Sequence, residues 1–142
     1  MMYLLDTNVL SELRRRDRID PRVAAWADAV EQDALYLSVV TILEVELGIL
    51  AVERRDPAQA ALLRRWLEDR VLPAFDARIL PIDTAVARAC ARLHVPDRRA
   101  ERDAMIGATA LTHRMTVVTR NVGDFEPMRV GVMNPWDWPG RG

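Results

Sequence analysis

Hydrophobic positions along the chain fall into short runs separated by longer stretches at helical spacing. Tyr3-Leu4-Leu5 is an apolar run that stops at Asp6, the pattern of a buried strand. Asp6-Thr7-Asn8 supplies cap-type residues, and Val9, Leu10 and Leu13 begin a helical stripe that ends in the charged run Arg14-Arg15-Arg16-Asp17-Arg18. Pro21 opens a second helix, with Val23, Ala24, Trp26, Ala27 and Val30 at helical spacing. Leu35-Tyr36-Leu37-Ser38-Val39 predicts a second strand. Thr41-Ile42-Leu43-Glu44 has capping-box spacing and predicts a helix from there to about Arg55. After Asp56-Pro57 a further helix carries Ala61, Leu62, Leu63, Trp66 and Leu67 to about Arg70.

The second half repeats the alternation. Ile79-Leu80-Pro81-Ile82 predicts a short third strand, and Asp83-Thr84 caps a helix through Val86, Ala89, Cys90 and Leu93. Pro96-Asp97-Arg98-Arg99 is a polar loop, followed by an Ala- and Met-rich helix that starts near Asp103. Met115–Thr119 predicts a fourth strand, Asn121–Asp124 a turn, and Arg129–Val132 a weaker fifth strand. The aromatic tail Asn134-Pro135-Trp136-Asp137-Trp138-Pro139 is expected to pack back on the body. Short apolar strands alternating with amphipathic helices imply βαβ units, an α/β fold and a mainly parallel sheet. A chain of 142 residues without repeats, linkers or low-complexity segments is expected to form a single domain, 1–142.

Charge narrows the function classes. The net charge of -1 argues against a sequence-independent nucleic-acid-coating protein, which needs a large basic excess. It leaves a nuclease open, because an acidic metal site offsets local basic patches. All 20 basic residues are Arg, so any phosphate contact must come from a guanidinium or a backbone N–H. The lone Cys90 precludes an intrachain disulfide. No basic segment leads into a long apolar run at the N-terminus, and no stretch approaches the roughly 20 apolar residues of a membrane span. No membrane partner and a cytoplasmic location are therefore expected.

Four acids stand where an open parallel sheet binds ligands. Asp6 follows strand one, Asp124 follows strand four, and Glu44 and Asp103 lie in the first turns of helices. Strand C-termini and the following helix N-termini share one edge of such a sheet. Clustered carboxylates repel one another and raise each other's pKa unless a counter-charge is present. A hard divalent cation such as Mg²⁺ or Mn²⁺ prefers oxygen ligands and supplies that charge. Asn8 and Thr119 are placed to orient waters or neighbouring carboxylates. Each acid also has an ordinary structural role: Asp6 as a helix cap, Glu44 as capping-box partner of Thr41, Asp103 as a helix-start charge, Asp124 as a turn residue.

At these residues the chain resembles the PIN-domain ribonucleases, and specifically VapC-type toxins of VapBC toxin–antitoxin systems. The segments that carry the likeness are Tyr3–Leu13, then Ser38–Gly48 with Thr41 and Glu44, then Arg102–Ala110, then Val117–Phe125, and the ending Asn134-Pro135-Trp136. The resemblance implies a PIN-like three-layer sandwich, a five-stranded parallel sheet flanked by helices. It also implies Mg²⁺, with Mn²⁺ as a substitute, and hydrolysis of phosphodiester bonds in tRNA or other structured RNA. Carried over by position, Asp6 and Asp103 are metal ligands, Glu44 completes the site or orients the attacking water, and Asp124 completes the catalytic cluster. Many relatives have Asp where this chain has Asn121, so the fourth acid is Asp124 or is supplied less directly, and the resemblance leaves the number of metal ions, one or two, open. A homodimer, a VapB-type antitoxin and a toxin–antitoxin hetero-oligomer are implied partners, with the apolar helices at 41–52 and 60–71 as surfaces for them or as ordinary core.

Other residues point elsewhere less well. No Gly-x-Ser-x-Gly elbow accompanies His94 or His113, which fall near helix C-termini and are expected to be solvated or capping. Cys90 lies on an apolar helical face and is expected to be buried and inert. Trp26, Trp66, Trp136 and Trp138 read as packing residues, and the Arg14–Arg18 run as a solvated face or an RNA phosphate contact. A phosphatase with Asp6 as nucleophile needs a second Asp where Asn8 stands, and a Lys that this chain lacks. The remaining alternative is a PIN-fold protein with a degenerate site, acting as a non-catalytic RNA- or protein-binding module.

Overall fold

In the computed structural model, which describes residues 1–139, the apolar runs become five strands: β1 (Tyr3–Leu5), β2 (Leu35–Ser38), β3 (Ile79–Leu80), β4 (Thr116–Val118) and β5 (Val132–Met133). All neighbouring pairs are parallel, in the order β3-β2-β1-β4-β5. Successive side chains of a strand face opposite ways. Leu5, Leu35, Leu37 and Val118 therefore enter one core, with Trp26, Val45 and Ile49, while Leu4 and Val117 enter a second, with Ala104, Ile106 and Phe125. Two cores on the two faces of one sheet give three layers, as the family resemblance implies. The expected domain range, 1–142, ends in three residues that lie outside the described ones.

Helices α1 (Thr7–Leu13), α2 (Pro21–Ala29), α3 (Val39–Glu53) and α4 (Pro57–Trp66) connect the first strands. A π-helical turn over Leu67–Val71 leads into α5 (Leu72–Ala74), so the segment runs past Arg70, where the sequence places its end. Then come α6 (Thr84–Leu93), α7 (Glu101–His113) and α8 (Val122–Phe125). Asp20, Asp56 and Asp83 each cap the helix that follows, through side-chain bonds to backbone N–H groups. The tail packs back as expected, with Trp136 and Trp138 against the first core.

Three local expectations are corrected. Helix α3 starts at Val39, not Thr41. Its cap is the fully buried Ser38, whose hydroxyl accepts from Val40 N at 3.0 Å, and the Thr41/Glu44 capping box does not form. Glu44 consequently lies in the second turn, away from the helix terminus. Residues Val122–Phe125 form a short helix where a turn is expected. Strand β5 begins at Val132 because Arg129 adopts a left-handed φ of 58°, which reverses the chain where the sequence predicts extension.

Ser38→Ala should cost about 1 kcal/mol of unfolding free energy in urea titration, the usual loss for an N-cap hydroxyl.

Candidate metal centre

The parallel register ends β1 and β4 side by side, with Leu5 opposite Val118. The next residue of each strand, Asp6 and Thr119, is buried at the same edge. Asp6 Oδ2 accepts from Thr119 Oγ1 at 2.8 Å and from Asn8 Nδ2 at 3.2 Å, and Oδ1 accepts from Thr7 N at 2.9 Å. A carboxylate has about four lone-pair sites. Three are thus taken, and the remaining one is on Oδ1. Asp6 is both the α1 cap and a charged group with a free acceptor site.

Thr119 is fixed by the same network. Its proton goes to Asp6, so its oxygen accepts, from Asn121 N at 3.0 Å and Asn8 Nδ2 at 3.4 Å. Asn8 Oδ1 in turn accepts from Arg120 N at 3.2 Å. Asn8 and Thr119 therefore hold the β4–α8 turn against Asp6. Asn121 enters through its backbone.

Glu44 is brought in from α3. Its Oε1 accepts from Thr7 Oγ1 at 2.6 Å, and its Oε2 is 3.9 Å from Arg102 Nε. Thr7 and Thr41 hydroxyl oxygens are 3.4 Å apart. Asp103 sits half-buried in the first turn of α7, and Asp124 is exposed in the first turn of α8. Burial raises the Asp103 carboxyl above the ordinary carboxylate range, and the charges of Asp124, Asp6 and Glu44 push it further, against a smaller opposing effect of Arg102. Burial likewise raises Asp6; its hydrogen bonds from Thr119, Thr7 and Asn8 oppose this, and the charge of Glu44 adds to it. The four predicted acids thus share one field.

The donors are all carboxylate oxygens, the chemistry a hard cation takes. Yet no group of three or more His, Cys, Asp or Glu side chains among the described residues is drawn together into a ready-made cage. Oxygen donors set apart in this way fit an ion that keeps several of its waters, as Mg²⁺ does.

Several residues have other positions than sequence reading assigned. Thr7, read only as a cap-type residue, is the direct link between α1 and Glu44, and Arg102 is the cation beside it. Their signal was adjacency to Asp6 and Asp103. His94 caps α6 as expected; its Nδ1 accepts from Arg99 N at 3.1 Å, and its Nε2 is 3.9 Å from the half-buried Cys90 thiol, which burial raises. His113 is not simply solvated: its Nε2 is buried without a partner among the described residues. The apolar cleft lined by Leu10, Leu13, Trp66, Val71 and Phe75 is separate from the acids.

Residues 3–126 match the PIN domain family. The toxin FitB of Neisseria gonorrhoeae is 40% identical over 141 residues, which span 95% of this chain and 99% of that protein. VapC ribonuclease Y4jK of Sinorhizobium fredii is 36% identical over 143 residues, covering 96% of this chain and 99% of its own. The crystal structure of FitAcB from Neisseria gonorrhoeae superposes with a TM-score of 0.86 at 38% identity, covering 95% of this chain and 99% of that one. The chain belongs to the PIN-domain family.

Proposed function

We propose that this protein is a Mg²⁺-dependent endoribonuclease, the toxin of a type II toxin–antitoxin pair, with residues 1–142 acting as one domain. The observation that carries the reading is the shared field of Asp6, Glu44, Asp103 and Asp124 at the carboxyl edge of the sheet. Relatives named as VapC ribonucleases and as a toxin support the reaction class. Asp6, through its open Oδ1 site, and Asp103 would hold the ion, which when bound supplies a Lewis acid for the phosphodiester and an activated water. Thr7 fixes Glu44 Oε1, leaving Oε2 to orient a water or complete the site. Thr119 and Asn8 hold Asp6 in one rotamer. Asp124 adds negative charge at the exposed rim. tRNA or another structured RNA is the proposed substrate class.

The proposed partners are a VapB-type antitoxin and a second copy of this chain. The solved structures of relatives include toxin–antitoxin complexes. Helix α3 has apolar residues on two faces. Val45 and Ile49 enter the core, whereas Leu43, Leu47 and Leu50, with Leu62 of α4, are about half exposed. Such a stripe suits a protein surface. Among the described residues no helix is long and apolar enough to cross a membrane.

Cleavage of total RNA in Mg²⁺ should fall roughly 10²–10³-fold in Asp6→Asn and in Asp103→Asn, the scale for removing one preorganised electrostatic group. Thr119→Val, which removes the hydrogen bond to Asp6 and the acceptor for Asn121 N and Asn8 Nδ2 while leaving every acid in place, should lose about 10- to 100-fold. Equal cleavage by wild type and Asp6→Asn would overturn the reading.

The charge argument gives a second test. Because the folded-state pKa of Asp103 is raised, folding binds protons there, and its contribution to stability is full at acid pH and is lost as pH rises through the folded pKa. At neutral pH in EDTA, Asp103→Asn should therefore raise the thermal midpoint. Mg²⁺ should raise the wild-type midpoint and leave the variant's much less changed.

A further inference from the structure

The acid cluster repels the phosphates that the proposed reaction needs. With a net charge of -1 and no Lys, the only cationic side chains available to hold the RNA backbone at neutral pH are guanidinium groups. Two arginines stand at this edge. Arg102 opens α7 and lies 3.9 Å from Glu44. Arg120 follows Thr119, and its backbone is anchored to Asn8, which is itself bonded to Asp6.

Arg120 differs from an ordinary surface arginine. It is exposed, and its guanidinium carbon lies 5.0 Å from the centroid of the Trp136 ring. Trp136 is held in turn: its backbone N–H donates to Asn134 Oδ1 at 2.9 Å, and its ring packs against the first core. No carboxylate among the described residues lies within ion-pair distance of Arg120. A ring face restrains a cation without neutralising it, so the entropy of fixing the side chain is partly spent before any ligand arrives. The result is a restrained charge without an ion-pair partner among the described residues, two residues past the buried end of β4.

The sheet order sets the spacing. Glu44 is on α3, which follows β2, with Arg102 of α7 3.9 Å from it; Asp6 follows β1, Thr119 and Arg120 follow β4, and Trp136 follows β5. From β2 to β5 is three strand spacings, about 14 Å. That length accommodates several nucleotide rises of about 3.4 Å.

We propose that Arg120, splinted on Trp136, contacts a backbone phosphate of an RNA strand lying along the carboxyl edge of the sheet, and that Arg102, beside Glu44 and Asp103, contacts the same strand. Arg120 positions substrate and takes no part in the proton or bond changes. The proposal rests on the nuclease reading. Of the two arginines, Arg120 gives the cleaner test, because Arg102 also faces Glu44.

The test is steady-state cleavage of a fluorescein-labelled mixed-sequence RNA in Mg²⁺, across a salt series. Arg120→Ala should raise KM about tenfold, the lower end for a charge-assisted contact, with kcat within about twofold. The dependence of log(kcat/KM) on log salt should become shallower by roughly 0.7–0.9, the loss of one phosphate contact. Arg120→Lys should restore the salt slope but only part of KM, since it keeps the charge without the planar fork. Trp136→Leu should raise KM with the slope unchanged; if that variant is unstable, the Arg120 pair still decides. Unchanged KM and slope in Arg120→Ala, beside active wild type, overturn the proposal and leave the nuclease reading standing. Wild-type protein that cleaves no RNA with Mg²⁺ or Mn²⁺ overturns both.

Discussion

A 2.8 Å hydrogen bond between Thr119 and Asp6 joins the ends of two neighbouring parallel strands and fixes the one carboxylate around which the acidic edge is built. Burying a charged carboxylate is unfavourable unless donors satisfy it. Three donors do so here, from Thr7, Asn8 and Thr119, and each performs a second task. Thr7 starts α1 and reaches Glu44 on α3. Asn8 reaches the backbone of Arg120. Thr119 receives the N–H of Asn121. The requirement to satisfy Asp6 thus ties α1, α3 and the β4–α8 turn to a common point.

Much of this was legible in the sequence, because the determining signals are local. Alternation along Tyr3–Leu5 and Thr116–Val118 places one residue of each pair in each core, and Asp-Pro pairs at 20–21 and 56–57 mark helix starts. The fourfold acidic pattern follows from the rule that parallel strands and their helices deliver residues to one edge. What local pattern misses is decided by contacts distant in sequence. Thr41 and Glu44 have capping-box spacing, but Ser38 caps α3 from the strand end, and Glu44 turns to Thr7, 37 residues away. Arg129 has the side chain of a permissible strand residue, yet its left-handed backbone delays β5 to Val132. The pairing of Arg120 with Trp136 likewise joins two segments that neither motif connects.

The two halves of the surface divide the work by chemistry. The carboxyl edge carries opposed charges, the acids with Arg102 and Arg120 on the same elements, an arrangement suited to a polyanion with a bound cation. The outer face of α3 carries half-exposed leucines and few charges, an arrangement suited to another protein chain. Both depend on the same helix: its buried face, with Val45 and Ile49, anchors it to the sheet, and Glu44 points toward Thr7.

The central claim is that the acids form one cation site organised by Asp6. Calorimetric titration of Mn²⁺ into the protein tests it most directly. Saturable uptake by wild type, lost in Asp6→Asn and in Asp103→Asn but retained in the remote Asp17→Asn, is the predicted result. Uptake that is absent in wild type, or equal in all four proteins, would contradict the account.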